Sequence, residues 1–246
     1  MNLLYQAGEY VFLMKKVFSK PENKTVYGKQ IVKEIYQIGI TSLPIVAIIS
    51  VFMGGVITIQ SAFGFTSPWV PLYAIGFTTR ESILLEFSPT IVSLILAGKV
   101  GSNIASEIGA MRITEQIDAL EIMGVNSACF LILPKVLAAM FINPFLIALS
   151  MFLGLMGGYF MGIASGAVTS YEYIFGIQAF FETWKIWYAF TKVVVFAYII
   201  TSVPAYYGYY TKGGALEVGK SSTKAVVMSS ILILIFNLLI TQIFFT

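Results

Sequence analysis

The segment Gly214-Ala215-Leu216-Glu217-Val218-Gly219-Lys220-Ser221 has the G-x-x-x-x-G-K-S spacing of a phosphate-cradling loop. That chemistry needs a buried strand feeding the loop and a helix leaving it, so that stacked backbone N–H groups meet the phosphates. Here the segment follows Tyr206-Tyr207-Gly208-Tyr209-Tyr210 at the end of one apolar run and precedes another, with no room for an α/β domain. It reads as a Gly-rich turn, not a nucleotide site. The chain has no His, which excludes imidazole acid–base chemistry, His metal ligation and Ser-His-Asp triads. The lone Cys129 provides neither an intrachain disulfide nor a thiolate cage. We therefore expect no catalytic residue, no metal, no cofactor and no enzymatic activity from this chain.

The remaining charge is more informative. Between Lys99 and Gly124, Ile113, Ile117 and Leu120 recur at i, i+4, i+7, while Glu115, Asp118 and Glu121 occupy another face. Gly124 suits the position after a helix end, so the spacing predicts a short helix over Arg112–Met123. Such a helix at the mouth of a membrane bundle has two readings. It floats on its own spans with a solvated acidic face, or it docks into a groove on a cytoplasmic partner. Glu86 stands just before Pro89 at the start of an apolar run. A carboxylate at membrane depth costs roughly 2.5–3.5 kcal/mol on insertion scales. It should then face a cavity or a partner; the other reading has it snorkelling to water near Arg80. Lys192, near the start of another apolar run, could snorkel outward in the same way. Gly154, Gly158, Gly162 and Gly166 form an i+4 ladder that lets two helix backbones approach closely.

The elements that position these residues are membrane spans. Of the 246 residues, 58% are hydrophobic and 11% charged, with a mean hydropathy of +0.85 and a net charge of +3. A soluble domain carries about 25% charged residues, and the slight positive balance gives no nucleic-acid footprint. About 20 apolar residues of helix cross a bilayer. Five runs qualify: Ile38 to Ile59, Phe87 to Gly98 continuing past Lys99, Val136 to Ala164, Ile186 to Tyr207, and Ala225 to the C-terminus. The turn-rich Phe65-Thr66-Ser67-Pro68-Trp69-Val70-Pro71 breaks the pattern after the first. Strand alternation is absent over these lengths, which argues against a β-barrel. The fold class read from the sequence is an all-α integral membrane protein, one domain over residues 1–246.

The first twenty residues do not read as a signal peptide, because Glu9 interrupts them and no small-residue cleavage site follows. Leu3, Ala7, Tyr10, Val11, Met14, Val17 and Phe18 recur at helical spacing and predict an interfacial amphipathic helix ended by Pro21. Lys and Arg then set the orientation. With a cytoplasmic N-terminus, the inner segments hold Lys15, Lys16, Lys20, Lys24, Lys29, Lys33, Lys99, Arg112, Lys135, Lys212, Lys220 and Lys224. The outer segments hold only Arg80 and Lys185, so the expectation is N-terminus inside and C-terminus outside.

Glu107-Ile108-Gly109-Ala110-Met111-Arg112, followed by Glu115-Gln116-Ile117-Asp118-Ala119-Leu120 and Met123-Gly124, resembles the signature loop of the MlaE family. These are permease subunits of ABC systems that move phospholipid between bacterial membranes. Glu86-Phe87-Ser88-Pro89 and Ala97-Gly98-Lys99-Val100-Gly101 are similar to two further family elements, as are Lys192 to Phe196 and Gly213-Gly214 through Val227. The likeness covers most of the chain from about residue 30 onward.

The resemblance implies a homodimer in the bacterial inner membrane, with one interfacial helix and five spans per subunit, the N-terminus cytoplasmic and the C-terminus periplasmic. It implies a cytoplasmic ABC ATPase seated against Glu107, Met111, Arg112, Glu115, Gln116, Asp118 and Glu121, and a periplasmic MCE-domain protein. It also implies a phospholipid cavity near Glu86 and Gln60; Leu85 adjoins Glu86 there, and Arg80, a turn and a half away, is the candidate to supply the cation. Two positions depart from the family pattern. Leu85 stands where members often have Arg, and Lys99 replaces an Arg, losing a bidentate donor. The rivals, a secondary transporter or channel for a small solute or a non-transporting scaffold, fit less well. Five spans preclude an even inverted repeat, and mid-membrane charge is sparse.

Overall fold

The computed structural model describes residues 3–19, 24–65 and 69–245, which contain helices and no strand. Five helical runs are long and apolar enough to cross a membrane: Val26–Gly64, Tyr73–Ile113, Ser127–Ala164, Trp184–Tyr209 and Ala215–Phe245. The chain is an all-α integral membrane protein. Each run extends past the window read from hydropathy, because charged residues such as Lys33, Arg80, Arg112 and Lys220 continue the helices without ending them.

The first helix, α1 (Leu3–Val17), buries Leu13, Met14 and Val17 and leaves Val11 and Phe12 exposed, with Phe18 exposed just after its end. Its apolar surface is thus wider than the single expected stripe. The expected stop at Pro21 lies outside the described residues. α2 (Lys24–Ile38) leads through a 3₁₀ turn at Ile40–Ser42 into α3 (Leu43–Gly64), where Pro44 sits in the first turn, a position that tolerates its missing N–H.

The second run begins at Tyr73, well before the expected Phe87. It comprises α4 (Tyr73–Ser82), a π-helical stretch over Ile83–Ile91, α5 (Val92–Leu96), a second π stretch over Ala97–Gly101, and α6 (Ser102–Ile113). Pro89 lies inside the first π stretch. Its ring would strike the carbonyl four residues back in a regular helix, and the wider winding accommodates it.

The helix expected over Arg112–Met123 is broken. α6 ends at Ile113, Glu115 turns left-handed at φ 59°, and α7 spans only Gln116–Ile122. Thr114 closes α6 by bonding back to the Ala110 carbonyl through both its amide and its hydroxyl. Gly124, at φ +80°, follows α7 as its spacing predicted, with Val125 N–H returning to the Leu120 carbonyl. The remaining elements are α8 (Ser127–Ala164), α9 (Ser170–Gln178), α10 (Trp184–Tyr209) and α11 (Ala215–Phe245). The Gly-rich segment read as a turn is mostly helix. Gly213 supplies the turn at φ +111°, and α11 starts two residues later. From Glu217 onward its backbone N–H groups are taken up by carbonyls from Gly214 on.

The chain divides into two compact units: Met1–Thr41, Ser93–Asn143 and Val194–Thr246 form one, and Ser42–Val92 with Pro144–Val193 form the other. In the second unit α3 and α8 pack backbone to backbone. A methyl added at Gly54 would sit 1.9 Å from the Gly154 carbonyl oxygen, and one at Gly157 would sit 2.1 Å from that of Val51. Gly158 and Gly162 face Thr58 in the same seam. Gly166 is a correction to the ladder: it lies beyond α8 at φ +70° with open space around it, so it turns the chain and packs nothing. Ser150 ties the seam by accepting from Ser50 at 2.8 Å and donating to Ser88 at 3.0 Å. α4 and α9 meet equally closely, Gly76 against the Tyr173 carbonyl and Gly176 against that of Tyr73.

Candidate functional site

Two groups of charged residues stand out, one in each unit. In the unit containing Ser42–Val92, the π stretch turns Glu86 toward α10. Lys192 there has no exposed side-chain surface and donates to Glu86 Oε1 at 2.8 Å and to the Leu85 carbonyl at 3.1 Å. Its ammonium also lies 4.3 Å from the centre of the Tyr188 ring. The Glu86 carboxylate is 49% exposed and accepts from Thr90 through its other oxygen. An isolated charge cannot remain buried in apolar surroundings, and each of these cancels the other. Lys192 is turned inward onto this carboxylate and not outward to water.

Arg80 serves another purpose. Only 2% exposed, it donates to the carbonyls of Ile177 at 2.6 Å and Ala179 at 2.8 Å, and to Glu81 at 2.6 Å. Phe77 and Phe181 cover its guanidinium. It closes the carbonyl end of α9, a task for which planar donors suit arginine. Arg80 and Leu84 also line an apolar groove of about 540 Å³ with Met151, Leu155, Ile177, Phe181 and Phe190. Gln60, Leu85 and Glu86 are not among its lining residues; Gln60 is exposed on α3 and Leu85 half-buried.

In the other unit, α6 and α7 form an elbow. Arg112 reaches across the break to Asp118 at 2.6 Å, with its guanidinium 6.0 Å above the Tyr209 ring. Ile117 is completely buried and anchors α7. Glu121 accepts from Ser127 at 2.9 Å and Tyr209 at 3.0 Å. These hydrogen bonds, the Ser127 one foremost, hold the Glu121 carboxyl below its ordinary pKa against partial desolvation. Glu107 is tied to Lys135 at 2.8 Å, and Lys135, nearly buried, also holds Glu34 at 2.8 Å. Lys99 donates to the Thr41 carbonyl and hydroxyl and so pins the 3₁₀ turn between α2 and α3.

Outward at the elbow, beside Thr114 and Ala119, are Glu115, Gln116 and two large apolar side chains, Ile122 at 87% exposure and Met123. Met111 is half-buried. The acidic positions are thus unequal: Glu107, Asp118 and Glu121 have partners within the chain, whereas Glu115 stands at the tip. Ile122 and Met123 escaped the sequence reading because they fall off the Ile113–Ile117–Leu120 stripe. That mismatch is itself a signal, since an apolar pair off the buried stripe of a short helix must face outward.

These features define a multi-span helical membrane protein with a bent, partly apolar elbow beside its spans and a charge pair held within them. Residues 31–243 match the family model described as Permease MlaE, and the chain belongs to that family. It is similar to an ABC transporter permease protein of Rickettsia bellii, 40% identical over 220 residues that cover 89% of this chain and 85% of the relative. A Synechocystis ABC transporter permease protein is 32% identical over 234 residues, 95% of this chain and 89% of its own. The intermembrane phospholipid transport system permease protein MlaE of Haemophilus influenzae is 28% identical over 217 residues, 87% of this chain and 82% of its own. The chain is accordingly a membrane permease of the ABC class, a transport subunit.

Proposed function

We propose that the chain carries phospholipid between the inner and outer membranes of a bacterium, driven by a separate cytoplasmic ATPase that docks on the elbow of α6 and α7. The observation that carries this reading is the elbow: Arg112–Asp118 fixes its angle, buried Ile117 anchors it, and Glu115, Gln116, Ile122 and Met123 are left for a partner. An amphipathic segment presenting an apolar pair rimmed by polar groups suits a groove. Closure of the ATPase pushes the elbow, and α6, continuous with the second span, passes the motion toward the π stretch that holds Glu86. Phospholipid as cargo is supported by the name of the Haemophilus influenzae relative.

In this reading the protein acts as a homodimer in the inner membrane with its N-terminus cytoplasmic and its C-terminus periplasmic. A periplasmic MCE-domain protein receives or delivers the lipid, and Glu86 with Gln60, Leu85 and Arg80 borders the lipid path. The distribution of Lys and Arg supports the orientation. The test is ATP hydrolysis. The purified chain hydrolyses nothing, and a cognate ATPase is stimulated when it is added. Glu115→Lys combined with Ile122→Asp abolishes that stimulation while leaving thermal stability unchanged. Stimulation that survives this double change overturns the docking surface. Asp118 is the wrong residue to reverse, because its loss also opens the elbow.

A further inference from the structure

α1, the end of α10 and the first half of α11 enclose two hollows that share a wall. One, about 250 Å³, opens among Glu9, Thr211, Lys212, Glu217, Lys220 and Lys224. The other, about 330 Å³, lies among Tyr10, Val203, Met228, Leu232 and Phe236. Gln6, Tyr206 and Tyr207 line both, so the pair is one groove with a polar mouth and an apolar slot. The walls are fixed. Tyr10 donates to Ser202 at 2.8 Å and meets the Tyr206 ring edge-on, and Ser221 donates to the Tyr207 carbonyl at 2.7 Å.

Charge is distributed unevenly over the mouth. Glu217 holds Lys220 at 2.6 Å, and Glu9 accepts the Tyr206 hydroxyl at 3.0 Å. Lys212 and Lys224 form no ion pair with a described residue; the Lys224 ammonium lies 5.6 Å over the Tyr207 ring. Three lysines against two carboxylates leave one positive charge over. The slot runs along α11, a helix of membrane-spanning length, with the lysines near its first turns. A ligand that fits must carry a single negative charge beside a flexible apolar chain.

We propose that this groove is a binding site for one anionic phospholipid, with its phosphodiester between Lys212 and Lys224 and an acyl chain between Tyr10 and Leu232. The site shares no residue with the elbow or with the Glu86 pair, and it does not rest on the transport reading. A bound lipid would fasten α1 to α10 and α11 and give this unit a preference for anionic membranes.

Labelling with phosphatidylglycerol bearing a diazirine on one acyl chain, with the full chain in lipid nanodiscs, tests the site. Adducts are expected at Tyr10, Val203, Met228, Leu232 or Phe236. Lys212→Gln with Lys224→Gln should raise the phosphatidylglycerol fraction needed for half-maximal labelling about five- to thirtyfold, since one lysine near an anionic headgroup is worth about fivefold. Met228→Trp should block labelling of the slot without changing charge, and its melting curve separates a filled slot from a lost fold. Equal labelling by the phosphatidylethanolamine probe, labelling insensitive to the lysines, adducts spread over the whole outer face of α11, or a slot occupied by a second copy of the chain would each overturn the proposal.

Discussion

The Glu86–Lys192 pair and the Arg112–Asp118 pair are the same kind of contact in opposite settings. In the first, a lysine with no exposed surface is held by a carboxylate, a carbonyl and an aromatic face within the spans. In the second, both side chains are part-exposed and bridge a break between two short helices. The buried lysine cannot lose its carboxylate without being stranded as a charge, whereas the pair in which both members are part-exposed can open and close at little cost. The difference suits them to different work: the first fixes the structure, and the second sets the angle of the segment we propose a partner moves.

The largest effect tests the fixed half. Glu86→Gln should cost about 3–5 kcal/mol by leaving the fully buried Lys192 ammonium uncompensated, read as a lowered melting temperature in detergent. Adding Lys192→Met should recover most of it. A single variant as stable as the parent would mean that the pair is solvated and no different from the one at the elbow. Next in size is the seam of the same unit. Gly157→Ala places a methyl 2.1 Å from a carbonyl oxygen and should cost about 1–3 kcal/mol. Gly166→Ala, in open space but at φ +70°, should cost about 1–2 kcal/mol through backbone strain alone. The elbow should respond differently: Arg112→Gln should change stability by no more than about 1 kcal/mol while sharply reducing stimulation of the ATPase.

The smallest expected effect is a pH dependence at the elbow. The Glu121 carboxyl is held below its ordinary value by Ser127 and Tyr209. Its contribution is therefore fully present above the unfolded carboxylate pKa and is lost as pH falls through the folded one. Tyr209→Phe should narrow the difference between melting temperatures at pH 7 and pH 4. An unchanged difference would remove Glu121 from the elbow's anchoring.

Much of this was legible in the sequence, because membrane burial is written in hydropathy and charge. The five spans and the family loop follow from Ile38 onward in long apolar runs and from the run Glu107–Gly124, and the helical spacing before Pro21 gave the first helix. Three things were not legible. The π stretch around Pro89 depends on a clash that only tertiary packing decides how to relieve. Glu86 and Lys192 lie in different spans, so local spacing cannot pair them, although complementary charges in two apolar runs hinted at it. The break at Glu115 comes from a left-handed residue and a Thr114 back-bond that the Ile113–Ile117–Leu120 periodicity conceals. Gly166 shows the converse error, since a perfect i+4 interval continued past the point where the helix had ended.

The central claim is that the moving half meets its motor at the tip of α7. A photo-crosslinking residue placed at Ile122, in the complex with a cognate ATPase, tests this most directly, with the same residue at exposed Tyr171 of α9 as the comparison. The account predicts a strong adduct to the ATPase from position 122 and none from position 171. An adduct from 171 but not from 122, or none from either in an ATP-hydrolysing complex, would contradict it.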